Sequence, residues 1–413
     1  MLQNKYPIRF FYGGETGCFS KNLFGNLAVF QSKFSVNNPI LGETGIEDVL
    51  IDFNDGLRLQ IPKGNWHVKI SDYNSNFVFM DEDILFGATL ISVEKFLVHW
   101  EVTLAFNGKI CFYHRFDPSG QKVHFMFPVK TLGDNITLFP YMNAFKQFYN
   151  CHVSCTVPKY MQDIIRLYYP DIELTKSISE DTYATYYMIG QNFDEPITST
   201  ENIRATPLEQ FGHSILGWHI SIDKKVIYYP TKERQIKEPY VCIAVQASGT
   251  PKAWLNPNGW SLVVKYLKEL GYRVLCIDKE SKTSDYGNVV AMPKEAENFT
   301  GDLPLIDRIN LLAYADFFIG LSSGLSWLAW STDIPVILIS GFSAPWYEFK
   351  TPYRINNITV CHGCFNDLRF EQKSIFRCPR YTGTKQAYEC SKKISAQQVV
   401  DAINRLISKN AQR

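Results

Sequence analysis

Two kinds of apolar spacing divide this 413-residue chain. From Val49 to about Phe127, apolar and polar residues alternate in short runs interrupted by Asp55-Gly56, Lys63-Gly64 and Asn107-Gly108. Period-two alternation broken by such dipeptides predicts antiparallel hairpins. The clearest runs from Phe96 to Phe106, turns at Asn107-Gly108 and returns along Lys109–Phe116. Beyond residue 125 the spacing changes, and short Val/Ile/Phe runs alternate with stretches whose apolar residues recur every three or four positions. That alternation predicts buried parallel strands separated by helices. The first such half has a strand at Phe125–Val129, a helix over Ile136–Phe148, and strands at His152–Val157 and Ile172–Leu174 around a helix Lys159–Tyr168. The second has strands at Tyr240–Val245 and Arg273–Ile277 around a helix Trp260–Leu270, which Gly271 closes. A helix Ile306–Ala315 and the unit Phe317–Gly320, Leu325–Thr332, Val336–Ile339 complete it. Tyr228–Glu238, polar and rich in Lys and Arg, reads as a solvated linker between the halves. Residues 1–47 carry no firm pattern.

The expected class is therefore α/β, with two Rossmann-like halves behind an N-terminal antiparallel β module. The expected divisions are 1–124, 125–235, 236–345, a cysteine-bearing segment 346–395 and a C-terminal helix 396–413. Composition narrows the class without changing it. Hydrophobic residues at 46% and charged residues at 20% make a globular mixture. A net charge of +1 argues against nucleic acid or an anionic membrane as partner. No apolar run reaches the length of a membrane helix, and MLQNKYPIRFFYGGETG lacks a signal-peptide core. A cytoplasmic enzyme or binding protein is expected. Six of the ten cysteines, Cys18, Cys111, Cys151, Cys155, Cys242 and Cys276, are scattered and expected to be buried small hydrophobes.

Candidate chemistry gathers where strands of the second half end. Ser322-Ser323-Gly324 joins a strand to a helix, offering amide N–H groups and two hydroxyls to an anion, or simply forming a tight turn. The loop after Val245 carries Gln246, Ser248 and Lys252, whose ammonium is either a phosphate partner or a surface charge. Asp278 follows a strand where ribose or base contacts arise in nucleotide-binding folds. In the first half, Asp134 at a helix start is either an N-cap or a general base facing the cleft. Neither G-x-x-x-x-G-K-[ST] nor G-x-G-x-x-G is present, so this reading ends at a nucleotide-type anion site. Separately, Cys361-x2-Cys364-x13-Cys378-x11-Cys390 on a polar loop reads as a closed, structural four-thiolate metal site. Zinc is the default for such a set and iron the other tetrathiolate option. Disulfides are the alternative, which a reducing compartment disfavours.

Several segments in order carry a family resemblance. PKGNWHVKI (62–70), TLGD (131–134), EPYVCIAVQ (238–246), GYRVLCID (271–278), GLSSGLSWLAW (320–330) and the four-cysteine segment resemble the bacterial autotransporter heptosyltransferases. These are relatives of the ADP-heptose lipopolysaccharide heptosyltransferases of GT-B fold. The resemblance implies transfer of heptose from ADP-glycero-manno-heptose to serine hydroxyls of autotransporter adhesins. It makes Asp134 the general base and Lys252 the counter-charge to the departing diphosphate. It has Ser322, Ser323 and Gly324 hold that diphosphate, with Thr300, Gly301 and Leu303 flanking the nucleotide. It also implies one iron per chain in the cysteine segment, ahead of zinc, and a large ring-like homo-oligomer. One departure stands out: the wider family has Asp-Thr-Gly-x-x-His where this chain has Ser322-Ser323-Gly324-Leu325-Ser326-Trp327. Use of another sugar nucleotide, or an inactive assembly scaffold, are the rival readings.

Overall fold

The computed structural model describes residues 10–14, 17–21, 27–28, 39–54, 56–189, 198–222, 225–285, 288–371 and 376–411. Three short strands open it, β1 (Phe10–Gly14), β2 (Gly17–Lys21) and β3 (Leu27–Ala28). Then follow β4 (Leu50–Asn54), β5 (Arg58–Ile61), β6 (Trp66–Asp72), β7 (Phe77–Ile84), β8 (Ala88–Ser92), β9 (Trp100–Phe106) and β10 (Lys109–Arg115). Strands β10-β9-β6-β7 form their own antiparallel sheet. Along β6, Trp66, Val68 and Ile70 are buried while His67 and Lys69 face solvent, as alternation requires. The Asn107-Gly108 hairpin forms as expected, both residues at positive φ (50° and 77°). Lys63-Gly64 is not a hairpin turn, because β5 pairs with β4 and β8 whereas β6 pairs with β7 and β9. Gly64 is small for another reason: a Cβ there would lie 2.5 Å from the Phe106 ring.

The first half adds β11 (Lys122–Met126), α1 (Leu132–Tyr149), β12 (His152–Thr156), α2 (Gln162–Tyr168), β13 (Glu173–Leu174), β14 (Ala184–Tyr187) and the short α3 (His213–Leu216). Its parallel strands do not end at β14. The sheet runs β13-β12-β11-β14-β4-β5-β8-β1-β2-β3, with β4 parallel to β14 and antiparallel to β5. The N-terminal strands therefore extend the sheet of the first half across the division expected at 124/125.

The second half is β15 (Tyr240–Ile243), α4 (Gly259–Glu269), β16 (Arg273–Cys276), the hairpin β17 (Lys282–Asp285) and β18 (Asn288–Ala291), and β19 (Glu297–Asn298). It continues with α5 (Leu305–Leu312), β20 (Phe317–Leu321), α6 (Gly324–Ser331), β21 (Val336–Ile339) and β22 (Arg354–Ile355). The short α7 (Glu389–Lys392) and α8 (Ala396–Ala411) end the chain, and α8 lays buried Val399, Ile403 and Leu406 into this half's core. The sheet order β19-β16-β15-β20-β21-β22 is parallel throughout. Counted along this half, leaving out the hairpin, the order is 3-2-1-4-5-6, so the winding reverses between β15 and β20.

Two expectations change here. The connection between the halves is not simply solvated. Tyr228 is buried, stacks on Tyr168 at 4.5 Å and donates its amide to Ser331 O, while Lys232 pairs with Asp307 at 2.8 Å. Cys111 is exposed on β10, whereas Cys151, Cys155, Cys242 and Cys276 are buried as expected; the side chain of Cys18 lies outside the described residues.

Buried His124 on β11 meets Ser154 Oγ at 2.8 Å and Thr156 Oγ1 at 3.1 Å, and burial pushes its imidazole down to about 4. Above about pH 6.5 it is neutral folded or unfolded, so nothing is lost there. Between 6.5 and 4 the unfolded chain takes up a proton that the folded one refuses, and stability falls, by on the order of 3 kcal/mol in total. Urea unfolding of His124→Gln at pH 7 and 4.5 should show a shallower pH dependence than the parent. An unchanged slope would mean that the imidazole charges freely in the fold.

Candidate active site

The reversal between β15 and β20 leaves a crevice at the carboxyl edge of the second sheet, where ligands of such sheets bind. On the β20 side, Ser322 is buried and donates to Ser340 Oγ at 2.9 Å. Ser340 in turn donates to Glu348 Oε2 at 3.2 Å, and Glu348 pairs with Arg354 at 2.8 Å. The Ser322 hydroxyl thus ties the ends of β20 and β21 together instead of facing a ligand. Ser323 differs. It is the N-cap residue of α6, yet its buried Oγ has no hydrogen-bond partner among the described residues. Gly324 and Leu325 open the helix, where first-turn amides have no intrahelical carbonyl partner, and no other backbone partner of theirs stands among the described residues. One unpartnered hydroxyl and two free N–H groups at a helix start favour an anion.

The first turn of α1 meets this turn directly. A Cβ on Gly324 would lie 2.6 Å from Leu132 Cβ, and one on Gly133 would lie 2.6 Å from the Trp327 ring. Trp327, where the wider family has histidine, is therefore a packing residue, set edge-on to Phe349 and Trp330. Asp134 is carried to the crevice by this contact. It is not the N-cap: Thr131 holds that position, and Asp134 is the third helical residue, making no capping bond. Its carboxylate forms no hydrogen bond or ion pair among the described residues. Asn135, fully buried, fixes the approach by donating to Val129 O (2.9 Å) and Thr131 O (2.7 Å). Tyr160 donates to Lys130 O at 2.8 Å, and burial followed by the Asp134 charge pushes its phenol up to about 12. Burial, with the same charge second, also raises Tyr347. The Asp134 charge thus acts on a tyrosine of each half.

The β15 side forms the other wall. Asp278 does not face a ligand. It is buried and accepts from the amides of Val245 (2.8 Å) and Gln246 (3.1 Å), which shapes the loop. Burial raises its carboxyl. Gln246 donates to Glu280 O at 2.7 Å and Ser248 is exposed. Thr250 is anchored by Asp285 at 2.8 Å, and half-buried Lys252 follows with no ion pair among the described residues. Farther along the edge, Gly301 at φ 147° donates to Asp278 O, Thr300 bonds Asn298 at 2.7 Å, and Leu303 is 49% exposed. Buried Arg308 holds this loop through Phe299 O (2.6 Å), Gly301 O (2.9 Å) and Asp278 O (3.2 Å).

Four cysteines gather beneath the ends of β21 and α7. Cys364, Cys378 and Cys390 are buried, Cys361 partly so, and none is in a disulfide. Burial first, then the neighbouring thiols, raises Cys361, Cys364 and Cys390, the last to about 12. A Cβ on Gly341 would strike Cys390 O at 2.5 Å, so the loop after β21 is seated on the cluster. Among the described residues no three His, Cys, Asp or Glu side chains stand in a metal-holding arrangement. Buried Arg204 grips this segment from the first half, donating to Phe365 O (2.5 Å), Asp367 O (2.6 Å) and Phe370 O (2.9 Å).

Comparison with known proteins decides the family. A model described as glycosyltransferase TibC, N-terminal domain, matches residues 43–107, and one for glycosyltransferase family 9 (heptosyltransferase) matches 211–377. The autotransporter heptosyltransferase BAHTCr of Citrobacter rodentium is 39% identical, over 90% of this chain and 93% of its own length. The autotransporter heptosyltransferase TibC of Escherichia coli is 38% identical, over 88% and 91%. The chain belongs to the autotransporter heptosyltransferases. A crystal structure of TibC, described as an iron-containing dodecameric glycosyltransferase, superposes with a TM-score of 0.85 at 36% identity, covering 91% of this chain and 100% of that one. TibC is also solved with ADP-D-beta-D-heptose, at a TM-score of 0.83 and 37% identity, covering 90% and 99%. The inactive autotransporter heptosyltransferase BimC of Burkholderia thailandensis is 31% identical, over 86% and 85%.

Within this heptosyltransferase, the structure brings together Asp134, Ser323 and Gly324, and sets Lys252 on the adjacent loop. It withdraws Ser322 and Asp278 into supporting roles. Arg308 and Arg204 were not foreseen. Arg308 had a signal, a lone cation on the apolar face of the helix expected at Ile306–Ala315; Arg204 lies in a stretch without periodicity. The thiol set suits a soft cation such as iron or zinc chemically, but its sulfurs converge without closing into a ligand shell. No helix among the described residues is long and apolar enough to cross a membrane.

Gly324→Ala should force α1 and α6 apart, since the new methyl meets the base of Leu132 rather than a flexible end. Overpacking of this kind costs about 1–3 kcal/mol. Urea unfolding should show that loss, and calorimetry should show weaker ADP binding. Parent-like stability and affinity together would mean that the two helix starts are not tightly coupled.

Proposed function

We propose that this chain transfers heptose from ADP-glycero-manno-heptose to serine hydroxyls of autotransporter adhesins, in a GT-B arrangement whose two halves each supply one wall of the cleft. The carrying observation is the unpartnered Asp134 carboxylate held, by glycine contacts, beside the anion-favouring start of α6. Ser323 Oγ and the amides of Gly324 and Leu325 hold the donor diphosphate, with Lys252 as point charge; Thr300, Gly301 and Leu303 border the nucleotide. The serine Oγ attacks the anomeric carbon and the bond from that carbon to the β-phosphate oxygen breaks. ADP departs, and Asp134 takes the serine proton. The N–H groups and Lys252 stabilise charge as it grows on the leaving phosphate. Family membership and a relative solved with ADP-D-beta-D-heptose support the donor. The description of TibC as iron-containing and dodecameric supports iron in the cysteine segment and a large homo-oligomer. Cys361, Cys364, Cys378 and Cys390 would hold the iron, which would lend the loop ordering free energy. We place the reaction in the cytoplasm.

A relative named inactive shares most of the chain, so chemistry is tested directly. Asp134→Asn should lower heptose transfer to a co-expressed adhesin about 10²–10⁴-fold, the usual contribution of a general base. ADP affinity should stay near that of the parent, because shape is kept. Mass spectrometry of the adhesin and calorimetry on the same preparation check both. Parent-like turnover would remove Asp134 from the chemistry, and no transfer by the parent would favour the inactive scaffold.

Elemental analysis of the purified chain should find close to one iron per chain. Cys378→Ser should strip it and lower the melting temperature, while properly assembled material still binds ADP. A metal-free chain that is folded and active would sink the metal reading.

A further inference from the structure

The cysteine segment and the crevice are joined by a short set of hydrogen bonds. Ser391 follows Cys390 on α7 and is buried. Its Oγ donates to Ala253 O and accepts from the amide of Leu255 at 2.7 Å. Two further bonds flank it: Trp254 Nε1 donates to Ile394 O at 3.0 Å, and Asn256 Nδ2 to the same carbonyl at 3.1 Å. All four anchor points lie at residues 253–256, immediately after Lys252. On its other side, Thr250 is fixed by Asp285. Lys252 sits on a single helical turn, Thr250–Lys252, between these anchors. That turn has no strand or long helix to hold it, so its orientation depends on what grips its two ends.

We propose that Ser391 is a positioning residue for Lys252: its hydroxyl, bridging Ala253 O and Leu255 N, fixes the turn that aims the ammonium at the donor diphosphate. A serine is suited to this because one hydroxyl both donates and accepts, closing the two main-chain groups at once. The cysteine segment thereby reaches the reaction without touching the sugar. The inference rests on the reading of Lys252 as a diphosphate partner.

ADP affinity measured by calorimetry for the parent, Ser391→Ala, Lys252→Ala and the double variant separates the two claims. Lys252→Ala should weaken ADP binding about tenfold or more, as loss of a charge-assisted bond does. Ser391→Ala should weaken it by about threefold to tenfold, and the double variant should match Lys252→Ala, since a missing ammonium cannot be misaimed. Ser391→Thr, which keeps the hydroxyl, should restore affinity in the single variant. Trp254→Phe, which changes no residue of the cysteine segment and removes the bond to Ile394 O, should show the same lack of additivity if Ser391→Ala proves insoluble. Additive losses, or unchanged affinity in both Ser391→Ala and Trp254→Phe, would overturn the positioning role. Unchanged affinity in Lys252→Ala alone would instead overturn the reading of Lys252 on which it rests.

Discussion

The meeting of α1 and α6 at their first turns is the constraint on which the site depends. Two helix starts pointing into one crevice bring like ends of two dipoles together, each worth roughly half a positive charge. Packing of buried Trp327 and partly buried Leu132 between them offsets that repulsion, and glycines at 133 and 324 make the distance possible. The positive potential left over has two uses. It faces the side chain of Asp134 in the first turn of one helix, and it favours an anion at the start of the other. A wider separation would weaken both.

The loops around this contact have few ladder partners, so their carbonyls need other donors. Two buried arginines supply them. Arg308 gathers the carbonyls of Phe299, Gly301 and Asp278 at the edge of the second sheet, and Arg204 gathers three from the cysteine segment. A guanidinium suits this because its planar fork reaches several acceptors at fixed angles, which an ammonium does not. Neither arginine bonds a carboxylate in these contacts, so carbonyl dipoles compensate the charge together with the nearby Asp278 and Asp307 for Arg308 and Asp367 for Arg204.

Much of this was legible in the sequence, and the boundary is physical. Apolar periodicity is a local signal, so β15, β16, β20, β21 and the helices between them appeared within one to three residues of their positions. Hydrogen-bond partners are not local. Asp278 and Ser322 stand at the expected strand ends, yet their polar atoms are engaged by Val245, Gln246 and Ser340, which no spacing rule links to them. Asp134 looked like a cap because the helix was expected to start at Ile136; it starts at Leu132, with Thr131 in the capping position. Lys63-Gly64 imitated a hairpin because glycine serves close packing as well as turns. The cysteine spacing pointed to a closed four-thiolate metal site; the thiols neighbour one another, but among the described residues no three of them stand in a metal-holding arrangement, since spacing carries no information on how closely four sulfurs approach.

The pairing of β4 with β14 bears on how such an enzyme is inherited. The stretch matched as an N-terminal domain, residues 43–107, is a unit of sequence, yet β4, β5 and β8 are bonded into the sheet of the following half. A lineage that lost this stretch would expose the edge of β14, a row of unpaired amides and carbonyls open to pairing with other chains. Exchange of N-terminal segments between relatives is therefore restricted to partners whose strands match this edge in register. Recombination would be filtered by hydrogen-bond geometry long before it was filtered by activity.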